Sequence, residues 1–173
     1  MNLPRALPLL LLAACTPTAQ APLTDAAREA AAEEVRAASV ALVAALNAHD
    51  PDSILGFYSL EEDFTYVACT EVYTGGEGYG VFTRSFHAAY PETRYDMSVQ
   101  SVRVLGPDHA VVALEGTLVA PLFVTRVLRR DPTGGWLVTW EHESWPDCSG
   151  PAAPHPGTEG SDTTAAGQPG TPS

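Results

Sequence analysis

The chain is 173 residues long, 45% hydrophobic, and carries a formal net charge of −12. That length suits a single domain with a substantial core, and the acid excess repels a phosphate backbone, which argues against nucleic acid as a partner. All nine basic residues are arginine, a bias that matches the abundant Ala, Pro and Gly and assigns no function.

In chain order, Arg5 precedes an almost wholly apolar run, Ala6–Leu12, and then Leu12-Ala13-Ala14-Cys15. A charge, a short apolar stretch and small residues before a cut site are the parts of a secretory signal over residues 1–14. The run is far short of the roughly 20 residues that span a bilayer. Cysteine directly after Leu-Ala-Ala resembles the lipobox of bacterial lipoproteins, which implies acylation and processing at Cys15; the alternative is an ordinary signal peptide cut nearby. Two or three acyl chains, at about 0.8 kcal/mol per buried CH₂, hold a protein firmly on a membrane. Thr16 follows where lipoproteins retained at the inner membrane resemble one another in having Asp. The expectation is therefore a lipid-anchored envelope protein, on the periplasmic side of the outer membrane if the host has two membranes.

Residues 15–23 read as a lipidated tether and 24–148 as the folded domain. Residues 149–173, rich in Gly, Pro, Ser and Thr and including His155, read as a disordered tail that cannot repay its ordering entropy. Cys69 and Cys148 form an even pair outside the cytoplasm: either a disulfide closing a loop of about 80 residues, or two separate thiols.

Within the domain, Thr24 caps a helix whose stripe is Val35, Ser39, Leu42 and Leu46. Asp50-Pro51 starts a short helix over 51–58 that buries Ile54, Leu55 and Phe57. A weaker helix spans 77–89 with Val81, Phe82 and Phe86, its start blurred by Gly78 and Gly80. Strands are expected at 64–67, 71–74, 93–105, 109–119, 122–130 and 136–145, with hairpin signals at Gly106-Pro107-Asp108 and Asp131–Gly135. Helices early and strands late give an α+β fold. A turn at Ala120-Pro121 would set Val112, Leu114, Gly116 and Leu118 on one face with Phe123, Thr125, Val127 and Arg129, and Glu115 opposite Arg126. Strict alternation through Trp136, Val138, Trp140, His142 and Ser144 would carry His142 and Ser144 to the inner side.

Several stretches resemble the SnoaL-like, ketosteroid-isomerase-like superfamily, which includes the nuclear transport factor 2-like proteins. They are Asn47-Ala48-His49-Asp50 with Leu55 and Tyr58, Asp108-His109-Ala110-Val111-Val112, and Thr125–Arg130 followed by Gly135-Trp136-Leu137-Val138 and His142-Glu143-Ser144. The last looks like the closing hairpin of the small SnoaL-like domains of unknown function, and the likeness spans about 120 residues. It implies three helices packed on a curved, mostly antiparallel six-stranded sheet, a cone-shaped, cystatin-like arrangement with a pocket at its open end. Chemistry varies widely across such folds, and no aspartate here takes the place of the isomerase base.

The candidate pocket set is Tyr58, Phe64, Tyr66, Tyr95, Trp140, His142 and Ser144, each also readable as plain core. His142 is the candidate proton handler, or else a buried histidine satisfied by Ser144 or the backbone. No metal or cofactor is implied. His49 with Asp50 and Asp52 reads as loop and cap, and His142-Glu143 on a strand point to opposite faces. Gly75–Gly80 lacks the Lys-Ser/Thr of a phosphate loop, and there is no Gly-x-Ser-x-Gly. Three functions stay open: a module that binds a small apolar ligand or serves as an accessory, a homodimeric structural module, and an isomerase or dehydratase acting on a small apolar carbonyl compound.

Overall fold

A computed structural model describes residues 22–69, 71–146 and 148. The signal segment 1–14, Cys15, most of the tether and the tail with His155 lie outside the described residues. The first helix, α1 (Asp25–Ala48), begins where the Thr24 hydroxyl accepts from the Ala27 N–H at 3.2 Å. It ends at His49, which adopts a left-handed φ of 52°. Val35, Ser39, Leu42 and Leu46 are buried along one face, as their spacing predicts. Asp50 then caps α2 (Pro51–Leu55), its carboxylate accepting from the Asp52 and Ser53 N–H groups. This helix stops short of the expected 58 because the chain turns into the sheet. The Val138 N–H donates to Phe57 O at 2.9 Å and the Ser59 N–H to Val138 O at 2.8 Å, stitching the segment to the last strand.

Strands β1 (Thr65–Ala68) and β2 (Glu71–Thr74) follow, then α3 (Gly75–Ala89). The glycines that blurred its start lie inside its first turns, and its inward face is Tyr79, Gly80, Thr83, Phe86 and His87. Val81 points outward and is exposed. Strands β3 (Asp96–Val104), β4 (His109–Thr117), β5 (Pro121–Arg130) and β6 (Trp136–Ser144) complete a six-stranded sheet in the order β2-β1-β6-β5-β4-β3. Only the β1–β6 pairing among these is parallel. The fold is α+β, with three helices on one face of a curved open sheet.

Two registers differ from the sequence expectation, and both differences move side chains through the sheet. The β4–β5 connection is the three-residue loop Leu118-Val119-Ala120, closed by Thr117 opposite Pro121, rather than a turn at Ala120-Pro121. An odd slip exchanges faces. Val112 and Leu114 therefore share the inner face with Leu122, Val124, Arg126 and Leu128, while Phe123, Thr125 and Val127 face out. Glu115 is opposite Phe123 rather than Arg126, and it is exposed. The second change is a bulge in β6: Leu128 pairs with Val138, but Val127 pairs with Trp140, leaving Thr139 as an extra residue. Inserting one residue reverses the alternation beyond it. Trp136 and Val138 face inward, and so do Glu141 and Glu143.

Gly116 shows how closely the β3 and β4 backbones approach. A Cβ there would collide with the Asp96 carbonyl oxygen, so no side chain fits. At the far edge, Cys69 and Cys148 are joined in a disulfide with their Cα atoms 5.7 Å apart, fastening the end of β1 to the segment after β6.

Candidate functional site

The bulge places two glutamates inside the cone. Glu141 is 1% exposed and Glu143 8%, on the face of β6 that packs toward the helices. The three-residue loop brings Arg126, 2% exposed, against Glu141 from the neighbouring strand. Its Nε donates to Glu141 Oε2 at 2.7 Å and its Nη2 to Oε1 at 3.3 Å, a two-pronged pair. Burial of the guanidinium opposes its charge, but the adjacent Glu141 outweighs that and holds Arg126 above its ordinary range.

Tyrosines from three elements close over the carboxylates. Tyr58, after α2, donates its hydroxyl to Glu141 Oε2 at 2.9 Å, and Tyr66 on β1 donates to Glu143 Oε2 at 2.8 Å. The Tyr79 hydroxyl on α3 lies within hydrogen-bonding reach of the Tyr58 hydroxyl. Tyr95, just before β3, is buried close enough to feel the field of Glu143 and then Glu141. Burial first, and a neighbouring glutamate second (Glu141 for Tyr58 and Tyr79, Glu143 for Tyr66 and Tyr95), keep all four phenols well above the usual tyrosine range, so they are neutral donors. Tyr58, Phe64 and Tyr79 pack against one another with ring centroids 4.8–5.6 Å apart. Tyr66 continues the cluster through Phe82 on α3 and Tyr73 on β2.

Glu143 is also displaced far from the ordinary carboxylate range. Burial is the main cause, and the neighbouring Glu141 adds to it; together they push its carboxyl up to about 8. At neutral pH it is a protonated acid that donates to Glu141 and accepts from Tyr66. One ion pair, one neutral acid and four phenols thus form a polar seam in an apolar interior. Such groups cost free energy to bury unless each is hydrogen-bonded. One donor is not: Arg126 Nη1 has no acceptor among the described residues.

Of the expected pocket residues, Tyr58, Phe64, Tyr66 and Tyr95 do come together on the inner side. Trp140, His142 and Ser144 do not. Beyond the bulge they alternate with Glu141 and Glu143, so they lie on the outer sheet face, where the Trp140 and His142 rings sit 6.0 Å apart. His142 is therefore remote from the interior and cannot handle a proton there. Glu141, Glu143, Arg126 and Tyr79 are the residues that sequence reasoning missed. The His142-Glu143 pair carried a signal, since opposite faces meant that one of the two had to face inward.

A second polar cluster lies at the junction of α1 and α3. His49 Nδ1 is 2.9 Å from His87 Nδ1, and His49 Nε2 is 2.8 Å from Thr93 O. The carbonyl can only accept, so His49 carries its proton on Nε2 and His87 donates from Nδ1. Burial, and then His49, lower His87 to about 4. Asn47 adds a reciprocal pair with the Tyr95 backbone, fixing the loop that carries Tyr95 to the end of α1.

No family model matches the sequence, and no curated protein is significantly similar to it. Solved structures do align. One is a candidate dehydratase of the NTF2-like family from Streptomyces avermitilis, with a TM-score of 0.60 and 21% identity over 68% of this chain and 96% of that one. Another is a ketosteroid isomerase-like protein from Erwinia carotovora atroseptica, with a TM-score of 0.53 and 20% identity over 65% and 94%. A third is a cystatin-like-fold domain of unknown function from Nostoc punctiforme, with a TM-score of 0.57 and 16% identity over 71% and 79%. The chain has the NTF2-like fold. In this NTF2-like domain the polar seam lies between the sheet and the helices. Its residues are drawn from β1, β5, β6, α3 and the segments after α2 and before β3.

Among the described residues no group of His, Cys, Asp or Glu is arranged to hold a metal ion, and no helix is long and apolar enough to cross a membrane.

Proposed function

We propose that this protein is an exported lipoprotein, anchored in the cell envelope through Cys15, whose NTF2-like domain binds a small, largely apolar molecule bearing an oxygen function. The observation that carries the binding half is the inner seam of Arg126, Glu141, Glu143 and the four tyrosines. A buried ion pair adds little net stability, and well-packed apolar residues often serve as well or better. Retaining one beside a protonated acid and neutral phenols therefore suits recognition better than scaffolding. The groups present hydrogen-bond donors to an oxygen in dry, aromatic surroundings, the usual make-up of a small-molecule site.

The disulfide supports export, since such bridges persist in oxidising compartments. Two experiments test the reading. Alkyne-labelled fatty acid fed to expressing cells is expected to label the protein, with labelling lost in Cys15→Ser; equal labelling of both would sink the anchor. A thermal-shift panel of small apolar ketones, esters and hydrocarbons on the purified protein is expected to show stabilisation by the oxygenated compounds alone.

Glu143 also favours a second reading, an isomerase or dehydratase. A carboxyl titrating near neutrality can give and take a proton at little cost. In that case Glu143, not His142, is the proton handler, and turnover of a carbonyl substrate would be abolished in Glu143→Gln with binding retained. As for assembly, the outer sheet face supports a homodimer. Val111, Ala113, Thr125, Val127, Trp140 and His142 line its centre without a charge, where a solvated sheet face is normally polar. Sedimentation equilibrium in detergent is expected to give a dimer that Trp140→Arg dissociates.

A further inference from the structure

Beside the seam, on the α1 side, runs a crevice with about 190 Å³ of empty space, part of it open to solvent. Ser39 and Leu42 of α1 form one wall, Arg126, Trp136 and Val138 of the sheet the other, and Phe57 also lines it. Its walls are apolar except for three groups, and the Trp136 N–H is engaged, donating to Glu34 Oε2 at 3.0 Å. The Ser39 hydroxyl is already engaged, donating to Val35 O at 2.8 Å. Arg126 commits Nε and Nη2 to Glu141, and Nη1, on the other side of the guanidinium, finds no acceptor among the described residues. The side chain is 2% exposed, and the crevice is too narrow at rest to hold water. Nη1 is thus a charged donor that is both dry and unpaired. Native proteins satisfy nearly all buried donors, so such an exception calls for a ligand or a role.

We infer that the crevice between α1 and the β5–β6 strands is the seat of the ligand's oxygen, and that Arg126 Nη1 selects a neutral carbonyl compound over a carboxylate or a hydrocarbon. The inference rests on the small-molecule reading above and specifies where and by what chemistry the molecule is held. Charge bookkeeping decides between the oxygen types. Arg126 and Glu141 already cancel, and Glu143 is protonated near neutrality. A neutral C=O can accept from Nη1 and leave the interior uncharged. A carboxylate would leave one uncompensated negative charge in a dry site. A hydrocarbon would fill the walls but leave Nη1 unpaired. The apolar side chains beside Arg126, among them Leu42 and Trp136, suit the apolar body of such a molecule.

The test is ligand-observed NMR on the full chain at fixed detergent concentration. The probes are carbonyl-¹³C cyclohexanone, cyclohexanecarboxylate and methylenecyclohexane. The ketone should bind roughly tenfold or more tighter than the other two, the worth of one hydrogen bond to a charged donor. Its ¹³C resonance should move downfield as the oxygen accepts. Ala38→Leu fills the crevice from α1 without touching the ion pair, and it should weaken ketone binding at least roughly tenfold. Arg126→Lys keeps a cation beside Glu141 but removes the fork, and it should erase the preference for ketone over hydrocarbon. If Ala38→Leu binds the ketone like wild type, the crevice is not the seat, and the small-molecule reading survives with its site elsewhere in the seam. If the carboxylate binds as tightly as the ketone, the selection rule is wrong. If none of the three probes binds wild type, the inference and the reading beneath it both fall.

Discussion

Replacing Glu143 by glutamine tests the electrostatics of the interior with almost no change of shape. In the wild type the acid form of Glu143 accepts from Tyr66 and donates to Glu141; a glutamine amide reproduces both contacts. What it removes is titration. Glu143 moves from an ordinary 4.5 to about 8 on folding, through burial first and Glu141 second. A carboxyl raised on folding makes the folded state bind the extra proton. Its favourable contribution is therefore complete below pH 4.5, declines as pH rises, and is gone above about 8. The ideal size is at most about 5 kcal/mol. Buried sites respond as if their dielectric were nearer 20 than 4, which brings the expectation to about 2–3 kcal/mol. Urea denaturation followed by tryptophan fluorescence, at constant ionic strength and with the disulfide intact, should show wild type losing that much stability relative to Glu143→Gln between pH 5 and 8. The variant should be the more stable protein at pH 8. A wild-type-minus-variant difference that stays constant over this range would mean that Glu143 does not hold its proton in the folded protein.

Three other outcomes follow from the same structure. His87 is depressed to about 4 by burial and by His49, so its contribution is present above its ordinary 6.5 and is lost as pH falls through 4; His87→Gln should flatten the wild-type loss of stability over that window in the same urea assay. Gly116→Ala forces a Cβ onto Asp96 O and should cost at least about 3 kcal/mol or prevent folding, seen as a lost cooperative melt. Removing the disulfide with Cys69→Ser/Cys148→Ser opens a loop of 79 residues and should cost about 4 kcal/mol in the chain-entropy model, read as a lowered urea midpoint with an unchanged β-sheet circular dichroism signal.

Elements that depend on local chemistry could be read from the sequence. Thr24, the Asp50-Pro51 cap and the Val35–Leu46 stripe are set by hydrogen bonds and a 3.6-residue period within one segment, and each sits where its pattern puts it. So do the six strands and the two hairpin loops, whose turn residues constrain the backbone directly. Register was not legible, because it depends on pairing energy between segments. One residue added at Thr139 and a loop of three residues instead of two turned Glu141, Glu143 and Arg126 inward and His142 outward. No propensity marks such a bulge, and three ionisable residues facing a core contradict the pattern that sequence reading relies on. Sites of function are where that pattern most often breaks. Four of the seven expected pocket residues, Tyr58, Phe64, Tyr66 and Tyr95, face inward as expected because they are apolar enough to be assigned there whatever their partners.

Native mass spectrometry of the full chain, taken from cells in mild detergent and compared with Ala38→Leu, bears most directly on whether the interior receives a guest. The account predicts that the wild-type domain carries a small co-purified organic molecule, of neutral mass and rich in carbon, that the filled variant has lost. Wild-type protein that arrives with no such mass, and acquires none when offered apolar carbonyl compounds, would contradict it.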